Sequence, residues 1–335
     1  MSVETRTRFD VIPLSKHIGA EIHGLDLREK PDEETIRAIY RAWLDHLVIV
    51  FPDQSLSQED LIRVTGYFGE LGELSRPAKY FPKGYSRLLP GIMLISNIRE
   101  NGEPIGALPD GEMMFHHDMI HADVPSKATL LYSVEIPSNG GNTLFASGYA
   151  AYDTLDPALR GRLEGREAMH HYNYGSTQRG DSRGTAAFAE CRHPVFRTHE
   201  DSGRKAVYVN RLMTVGIVDM PAQESEPLLS AVFEHSEKRD FVYEHVWRVG
   251  DLLLWDNRCS SHGAHRFSRE RAPADAAHHR QGHCAAVLSL PSPNRAARRA
   301  GHASAVFNTA NNFSASSSVF HTCGVTRIAW PRTET

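Results

Sequence analysis

The chain contains few cysteines, and their spacing matches no common metal or redox motif. Only four occur in 335 residues, and no two are separated by the two residues typical of zinc or thiol–disulfide sites. They are Cys191, Cys259, Cys284 and Cys323. We therefore expect neither a disulfide framework nor a cysteine-bound structural zinc, and the pattern favours a reducing, cytoplasmic compartment.

Long apolar runs are also missing. No stretch approaches the roughly 18 consecutive apolar residues that read as a membrane-spanning helix, and the first residues, MSVETRTRFD, lack the apolar core of a secretory signal. A formal net charge of −4 gives no general attraction to nucleic acid or to an anionic membrane. We therefore expect neither nucleic acid nor a membrane as a partner, and the sequence leaves a homo-oligomer open.

Hydrophobic residues make up 41% of the chain, and their periodicity predicts helices early and strands mostly later. The predicted helices are 32–46, 55–71 and 149–165. The predicted strands include 47–51, 128–136, 142–146, 205–210, 241–247 and 251–257. Because strands and helices do not alternate regularly, the pattern predicts a mainly β fold with flanking helices, such as a double-stranded β-helix, or jelly roll, core.

One short segment, MMFHHDMIH at 113–121, concentrates three histidines and an aspartate. His116 and Asp118 are two residues apart, so on a strand they would face the same side, whereas His117 would face the other. A third ligand is available in His262, just beyond the strand predicted at 251–257. Two histidines and one carboxylate are typical of non-haem Fe(II) oxygenases, although a hydrogen-bonded polar pair remains an alternative for the H-x-D motif alone.

Longer strings around both motifs resemble the taurine / 2,4-dichlorophenoxyacetate dioxygenase (TauD/TfdA) family. They are FHHDMIHADVPSKATLLYSVEIPSNGGNTLFAS and GDLLLWDNRCSSH, supported by IGAEIHGLDL, LVIVFPDQSLS and FGELGEL. The resemblance covers about residues 9–262 and implies a jelly-roll domain over residues 1–262. It also implies an enzyme that uses Fe(II), 2-oxoglutarate and O₂ to hydroxylate a small organic substrate, with release of succinate and CO₂.

The resemblance also implies roles for individual residues. The iron ligands would be His116, Asp118 and His262. Thr143, in GGNTLF, matches the threonine whose hydroxyl donates to a carboxylate of 2-oxoglutarate, and Trp255 falls where the family lines the cosubstrate pocket. Read without the resemblance, Thr143 is a strand threonine and Trp255 a core tryptophan.

Substrate contacts are expected from HHYNYGS and YVNRLM, which contain Tyr174, Asn210 and Arg211. The guanidinium of Arg211 could bind an anion through two parallel hydrogen bonds, but a surface arginine at a strand end is an equally good interpretation. Leu74 stands near the place where the taurine enzymes have a histidine for the sulfonate, which argues against taurine. We expect a small, anionic organic substrate such as an aryloxy acid.

The arginine that clamps the far carboxylate of 2-oxoglutarate in this family has no clear counterpart. Arg280, directly before an apolar run at 283–290, is the nearest substitute at a strand entry. Arg271 is closer in spacing but lies in a polar, proline-containing stretch. The alternative function is therefore a catalytically impaired jelly-roll protein that keeps the iron ligands and lacks this clamp.

The composition changes abruptly at residue 263. Residues 263–335 contain 15 alanines, nine arginines, no lysine and three acidic residues, whereas residues 1–262 contain 28 basic and 38 acidic residues. The formal charge therefore changes from −10 to +6. We interpret 263–335 as an atypical tail, poorly ordered except near 283–290, that arose by translation in a shifted reading frame.

The nucleotide sequence tests this interpretation. Residues 264–282 can be encoded by GC-rich codons that, read one nucleotide later, give RTDFPASERRLMRRTTVKG, which resembles the family sequence after the distal histidine and contains the missing arginines. We expect codons 263–282 to read this way in the shifted frame. Codons that do not would show that the tail is the genuine sequence.

Overall fold

Strands dominate the computed structural model, which describes residues 9–72, 88–96, 99–100, 103–104, 113–136, 140–172, 189–264 and 282–288. Within these ranges the chain forms 18 strands and five α-helices, so the predicted mainly β fold with helices is confirmed. The helices are α1 (Glu33–His46), α2 (Gln58–Thr65), α3 (Gly148–Asp153), α4 (Pro157–Leu163) and α5 (Ala222–Ser236). In the described part of the chain, none of these is long and apolar enough to cross a membrane.

The strands are short, and most lie in two sheets. In chain order they are β1 (Asp10–Pro13), β2 (Ala20–His23), β3 (Val48–Phe51), β4 (Ile92–Ser96), β5 (Arg99–Glu100), β6 (Glu103–Pro104), β7 (Met113–His116), β8 (Ala128–Glu135), β9 (Thr143–Ser147), β10 (Glu167–Tyr172), β11 (Ala189–Pro194), β12 (Phe196–Thr198), β13 (Lys205–Val207), β14 (Thr214–Ile217), β15 (Val242–His245), β16 (Leu252–Asp256), β17 (Ser260–Ala264) and β18 (Gly282–Leu288).

The larger sheet has seven strands in the order β1-β2-β3-β16-β8-β18-β4. All neighbours are antiparallel except β2 and β3. Strand β16 lies in its middle, and every residue of it is buried. Because successive side chains point to opposite faces, Leu252 and Leu254 pack in one core cluster with Trp43 of α1, whereas Leu253 and Trp255 pack in another. A strand buried on both faces explains the continuous apolar run LLLW at 252–255.

The second sheet has four strands in the order β15-β9-β17-β7. Phe145 on β9 belongs to the same core cluster as Leu253 and Trp255, so apolar side chains of the two sheets pack against each other. Pairing of β17 with β7 sets His262 opposite His116, and pairing of β17 with β9 sets His262 opposite Phe145. This register brings two distant histidines together.

Three smaller sheets complete the described strands: β11-β10-β14, β12-β13 and β5-β6. Helix α5 contributes Leu229 and Phe233 to a third core cluster with Val207 of β13 and Ile217 of β14. This cluster supports β13 and β14, which flank the segment that contains Asn210.

Several predicted boundaries differ from the structure for local reasons. The helix predicted at 149–165 is two helices, because Asp156 caps a new one whose first turn contains Pro157. The helix predicted at 55–71 begins after Ser57, whose side chain forms a capping box with Asp60, and it ends at Thr65.

Strand pairing continues beyond residue 262, where the sequence predicts the domain to end. Strand β18 pairs with both β8 and β4, and the main compact unit runs from Met1 to Ser292. A second unit, Pro293–Thr335, lies outside the described residues. The apolar run predicted near 283–290 therefore takes part in the large sheet.

Candidate metal centre

His116, Asp118 and His262 lie together, as the sequence predicts. One ligand atom from each lies within 4.8 Å of those of the other two. Asp118 Oδ1 is 3.8 Å from His116 Nε2 and 3.8 Å from His262 Nε2. The expected strand geometry holds only in part, because β7 ends at His116 and Asp118 begins a turn. The turn, which includes Met119 at a positive φ of 59°, directs the carboxylate back toward the histidines.

Both imidazoles can present a lone pair to a cation. His116 Nδ1 lies 3.0 Å from the Met114 carbonyl, an atom that only accepts, so Nδ1 carries the hydrogen and Nε2 is the ligand atom. Burial, reinforced by His116, lowers the pKa of His262 to about 3, although Asp118 opposes the shift. His262 is therefore neutral at physiological pH, as a metal ligand must be.

The carboxylate of Asp118 is partly buried, and among the described residues its only partners within ion-pair distance are two histidines. Burial raises its pKa, but His262, His116 and hydrogen bonds from Thr129 and Asn257 outweigh burial and lower the pKa overall. A partly buried negative charge that faces two imidazoles and no lysine or arginine has no permanent counter-ion among the described residues, and a divalent cation would supply one. The donor set therefore fits a metal.

Thr143 and Trp255 both lie beside this centre. Thr143 is opposite Ala264 and two residues from Phe145, so it faces the same side of the sheet as His262. Its hydroxyl accepts a hydrogen bond of 3.0 Å from the indole of Trp247, which leaves the hydroxyl hydrogen to donate elsewhere. The ring centroids of Trp255 and His262 are 4.8 Å apart.

The predicted substrate residues that are described make contacts within the protein. Asn210 is 2% exposed, its amide nitrogen lies 3.1 Å from His117 Nδ1, and its amide oxygen accepts from the Met213 backbone at 2.8 Å. The guanidinium of Arg211 donates to both carboxylate oxygens of Glu237 at 3.0 Å. These contacts favour the structural interpretation of Arg211 that the sequence left open.

Other predicted residues lie outside the described ranges. They are Leu74, Tyr174, Arg271 and Arg280. The roles suggested for Tyr174 in substrate binding and for Arg280 in cosubstrate binding stay predictions.

Two residues that contact Asp118 were not singled out from the sequence. Thr129 donates its hydroxyl to Asp118 Oδ2 at 2.6 Å, and Asn257 accepts from the Asp118 backbone at 3.2 Å. Asn257 is the last residue of the strand predicted at 251–257, and Thr129 resembles any threonine of a buried strand. Their part in the site depends on strand pairing between distant segments, which the sequence does not display.

A second buried group, His199, Asp256 and Cys259, also has the composition of a metal site. The possible ligand atoms of His199 and Asp256 already have hydrogen-bond partners. His199 Nε2 lies 2.9 Å from Asp256 Oδ2, and His199 Nδ1 accepts from two backbone amides at 3.2 Å. Arg258 donates to both oxygens of Asp256, at 2.9 and 2.7 Å, and supplies the opposite charge. This group is a hydrogen-bonded ion pair in the core.

Replacing Asp256 tests that assignment. Asp256→Asn leaves the buried guanidinium of Arg258 without its full counter-charge, so we expect the free energy of unfolding to fall by about 3–5 kcal/mol in urea denaturation. The control is Asp153→Asn, which removes an exposed pair with Arg204 and should cost at most about 1 kcal/mol. Equal losses in the two variants would contradict the assignment.

Comparison with known proteins identifies the family of the chain. Residues 10–282 match the family described as "Taurine catabolism dioxygenase TauD, TfdA family". The alpha-ketoglutarate-dependent 2,4-dichlorophenoxyacetate dioxygenase of Cupriavidus pinatubonensis is 32% identical over 269 residues, covering 76% of this chain and 91% of that protein. The (S)-phenoxypropionate/alpha-ketoglutarate-dioxygenase of Sphingobium herbicidovorans is 30% identical over 268 residues, covering 76% and 89%.

A solved structure, that of AAD-2 in complex with Mn(II) and N-oxalylglycine, is similar with a TM-score of 0.67 and 26% identity. The similarity covers 85% of this chain and 98% of that one. The match over residues 10–282 and the 32% identity to a full-length relative show the family. The chain belongs to the TauD/TfdA family and is a 2-oxoglutarate-dependent dioxygenase that uses Fe(II) and O₂.

Proposed function

We propose that His116 and His262, through their Nε2 atoms, and Asp118, through Oδ1, hold the Fe(II) of this enzyme. The observation that carries the proposal is the partly buried carboxylate, which faces two imidazole nitrogens at 3.8 Å without a lysine or arginine partner among the described residues. Three protein ligands leave three positions of an octahedron open. Iron and 2-oxoglutarate bound there supply the oxidation of a substrate C–H bond by O₂, with release of succinate and CO₂.

Thr143 and Trp255 act on the cosubstrate side of this site. The Thr143 hydroxyl accepts from Trp247 and therefore directs its own hydrogen toward a carboxylate of 2-oxoglutarate. Trp255, which is 3% exposed, forms an apolar wall against the His262 ring and keeps water away from that side. Arg280 is the proposed clamp for the far carboxylate.

The fold that carries this site is proposed to be a double-stranded β-helix. Support comes from the seven-stranded and four-stranded sheets, whose inner side chains share one core cluster that includes Phe145 and Trp255. His116 and His262, two of the proposed ligands, lie opposite each other on β7 and β17 of the four-stranded sheet. The dioxygenase domain is proposed to include residues 1–262, and strand β18, within the atypical segment 263–335, belongs to its large sheet.

The substrate is proposed to be a small, anionic organic molecule of the aryloxy acid class. Support comes from the relatives named for 2,4-dichlorophenoxyacetate and for (S)-phenoxypropionate, and from Leu74 at the place expected for the taurine-binding histidine. Tyr174 remains a proposed substrate contact, and the buried Asn210 is proposed to act on substrate binding indirectly, by holding His117. A cytoplasmic location and a homo-oligomer remain proposals.

Anaerobic titration of the full chain with Fe(II) and 2-oxoglutarate tests the proposal. Chelation of iron by 2-oxoglutarate should produce a metal-to-ligand charge-transfer band, and admission of O₂ with 2,4-dichlorophenoxyacetate or phenoxypropionate should then release succinate. A chain that binds Fe(II) but gives no such band at any 2-oxoglutarate concentration would favour the impaired protein that lacks the arginine clamp. Activity that needs Zn(II) and no O₂ would overturn the proposal.

Removal of the carboxylate tests the ligand assignment. Asp118→Ala deletes one of three ligands and the only negative charge among them, so we expect hydroxylation and succinate formation to fall to background. Asp45→Ala, at an exposed position on α1, is the control and should keep wild-type turnover. Unchanged turnover in Asp118→Ala would refute the assignment.

Removal of the Thr143 hydroxyl tests the cosubstrate contact. Thr143→Val should weaken 2-oxoglutarate binding by about 1–2 kcal/mol, the scale of one hydrogen bond to a charged group. The dissociation constant is read from the charge-transfer band, and Thr143→Ser, which keeps the hydroxyl, should bind like the wild type. If Thr143→Val also binds like the wild type, the threonine has only a structural role.

A further inference from the structure

The two oxygens of the Asp118 carboxylate have different surroundings. Oδ1 faces His116 and His262, each at 3.8 Å. Oδ2 accepts a hydrogen bond of 2.6 Å from the hydroxyl of Thr129. Thr129 is 3% exposed, so this contact lies in the core, where a hydrogen bond to a charged group is stronger than in water.

The direction of each hydrogen bond around Thr129 follows from the chemistry of the donors. The indole nitrogen of Trp255 and the backbone nitrogen of Asp118 can only donate, and both lie near Asn257 Oδ1, at 3.1 and 3.2 Å. The Asn257 oxygen is therefore the acceptor, and its Nδ2 donates to Thr129 Oγ1 at 2.9 Å. The single hydrogen of the Thr129 hydroxyl is then committed to Asp118 Oδ2.

The residues of this hydrogen-bond relay (Trp255, Asn257 and Thr129) are held by the strands of the large sheet. Thr129 on β8 is directly opposite Trp255 on β16. Asn257 follows β16, is fully buried, and donates its backbone N–H to the Lys127 carbonyl at 3.0 Å. Strand pairing therefore fixes donor positions before any ligand binds, which is what an orienting group requires.

We propose that Thr129 and Asn257 are positioning residues that restrict Asp118 to binding the metal through Oδ1 alone. The proposal rests on the metal centre proposed above. A carboxylate that is free to rotate can bind a cation through both oxygens and would then occupy a fourth position. With Oδ2 held by Thr129, three positions stay open, two for 2-oxoglutarate and one for O₂.

Removal of the Thr129 hydroxyl in the full chain tests this role by metal-binding measurements that do not depend on enzyme turnover. Thr129→Val removes the donor and keeps the shape, so we expect Mn(II) affinity, measured by electron paramagnetic resonance titration, to change by roughly 10-fold or more. The Fe(II)–2-oxoglutarate charge-transfer band should shift or weaken as well. Thr129→Ser keeps the hydroxyl and should restore both readouts to wild type.

A matched control separates positioning from stability. Thr65 is also fully buried and donates its hydroxyl to the Leu61 carbonyl at 2.6 Å, in helix α2 and outside the relay. Thr65→Val should lower the urea midpoint to a similar degree while leaving Mn(II) affinity and the band unchanged. Thr129→Ala provides the same comparison if Thr129→Val does not fold.

The outcomes distinguish this proposal from the one on which it rests. If the wild type binds no Mn(II), or if Asp118→Ala binds it equally well, the metal centre itself is wrong. If the wild type binds Mn(II) and the folded Thr129 variant matches it in affinity and in the band, the positioning role is wrong. Equal losses in the Thr129 and Thr65 variants would also overturn it, because stability alone would then explain them.

Discussion

A negative charge without a basic partner is the constraint on which the proposed metal site depends. The carboxylate of Asp118 is partly buried, and in the described part of the chain two imidazoles and a hydroxyl donor lie against it. Its pKa is lowered although burial opposes ionisation. Asp256 is more deeply buried, and its charge is matched by the guanidinium of Arg258. The contrast distinguishes an aspartate that is proposed to bind a cation from one whose charge is already balanced.

Consecutive residues at the centre of the large sheet contribute first to the hydrophobic core and then to the surroundings of the candidate metal centre. Along β16, Leu252 and Leu254 fill one core, and Leu253 fills the other. The next positions supply the Trp255 ring beside His262 and the Asp256 ion pair, followed by the Asn257 amide beside Asp118. These groups are therefore placed on, or directly after, a strand that is buried along its whole length.

The sequence predicted the parts of the site that depend on local spacing. The H-x-D motif and the strand before His262 were enough to place the three candidate ligands together, and apolar periodicity was enough for a mainly β fold. It could not predict that Asp118 lies in a turn, since β7 ends at His116 through backbone pairing with β17.

The sequence could not predict contacts between segments that are far apart in the chain. The pairing of Arg211 with Glu237 joins residues 26 apart, and that of Thr129 with Asn257 joins residues 128 apart. Nothing in either local pattern distinguishes these residues from ordinary surface or strand positions, because the partner is decided by how the strands are ordered in the sheet.

Strand β18 covers the edges of two other strands, so the protein is sensitive to shortening at its C-terminal side. This strand lies between β8 and β4, and among the described strands it is the only one that pairs with β4. Without it, β8 would expose a row of backbone amides and carbonyls along a buried, apolar strand, and β4 would have no sheet to join. Such an edge is a template for pairing with another chain, so a molecule shortened before residue 282 would tend to self-associate before it lost its metal ligands.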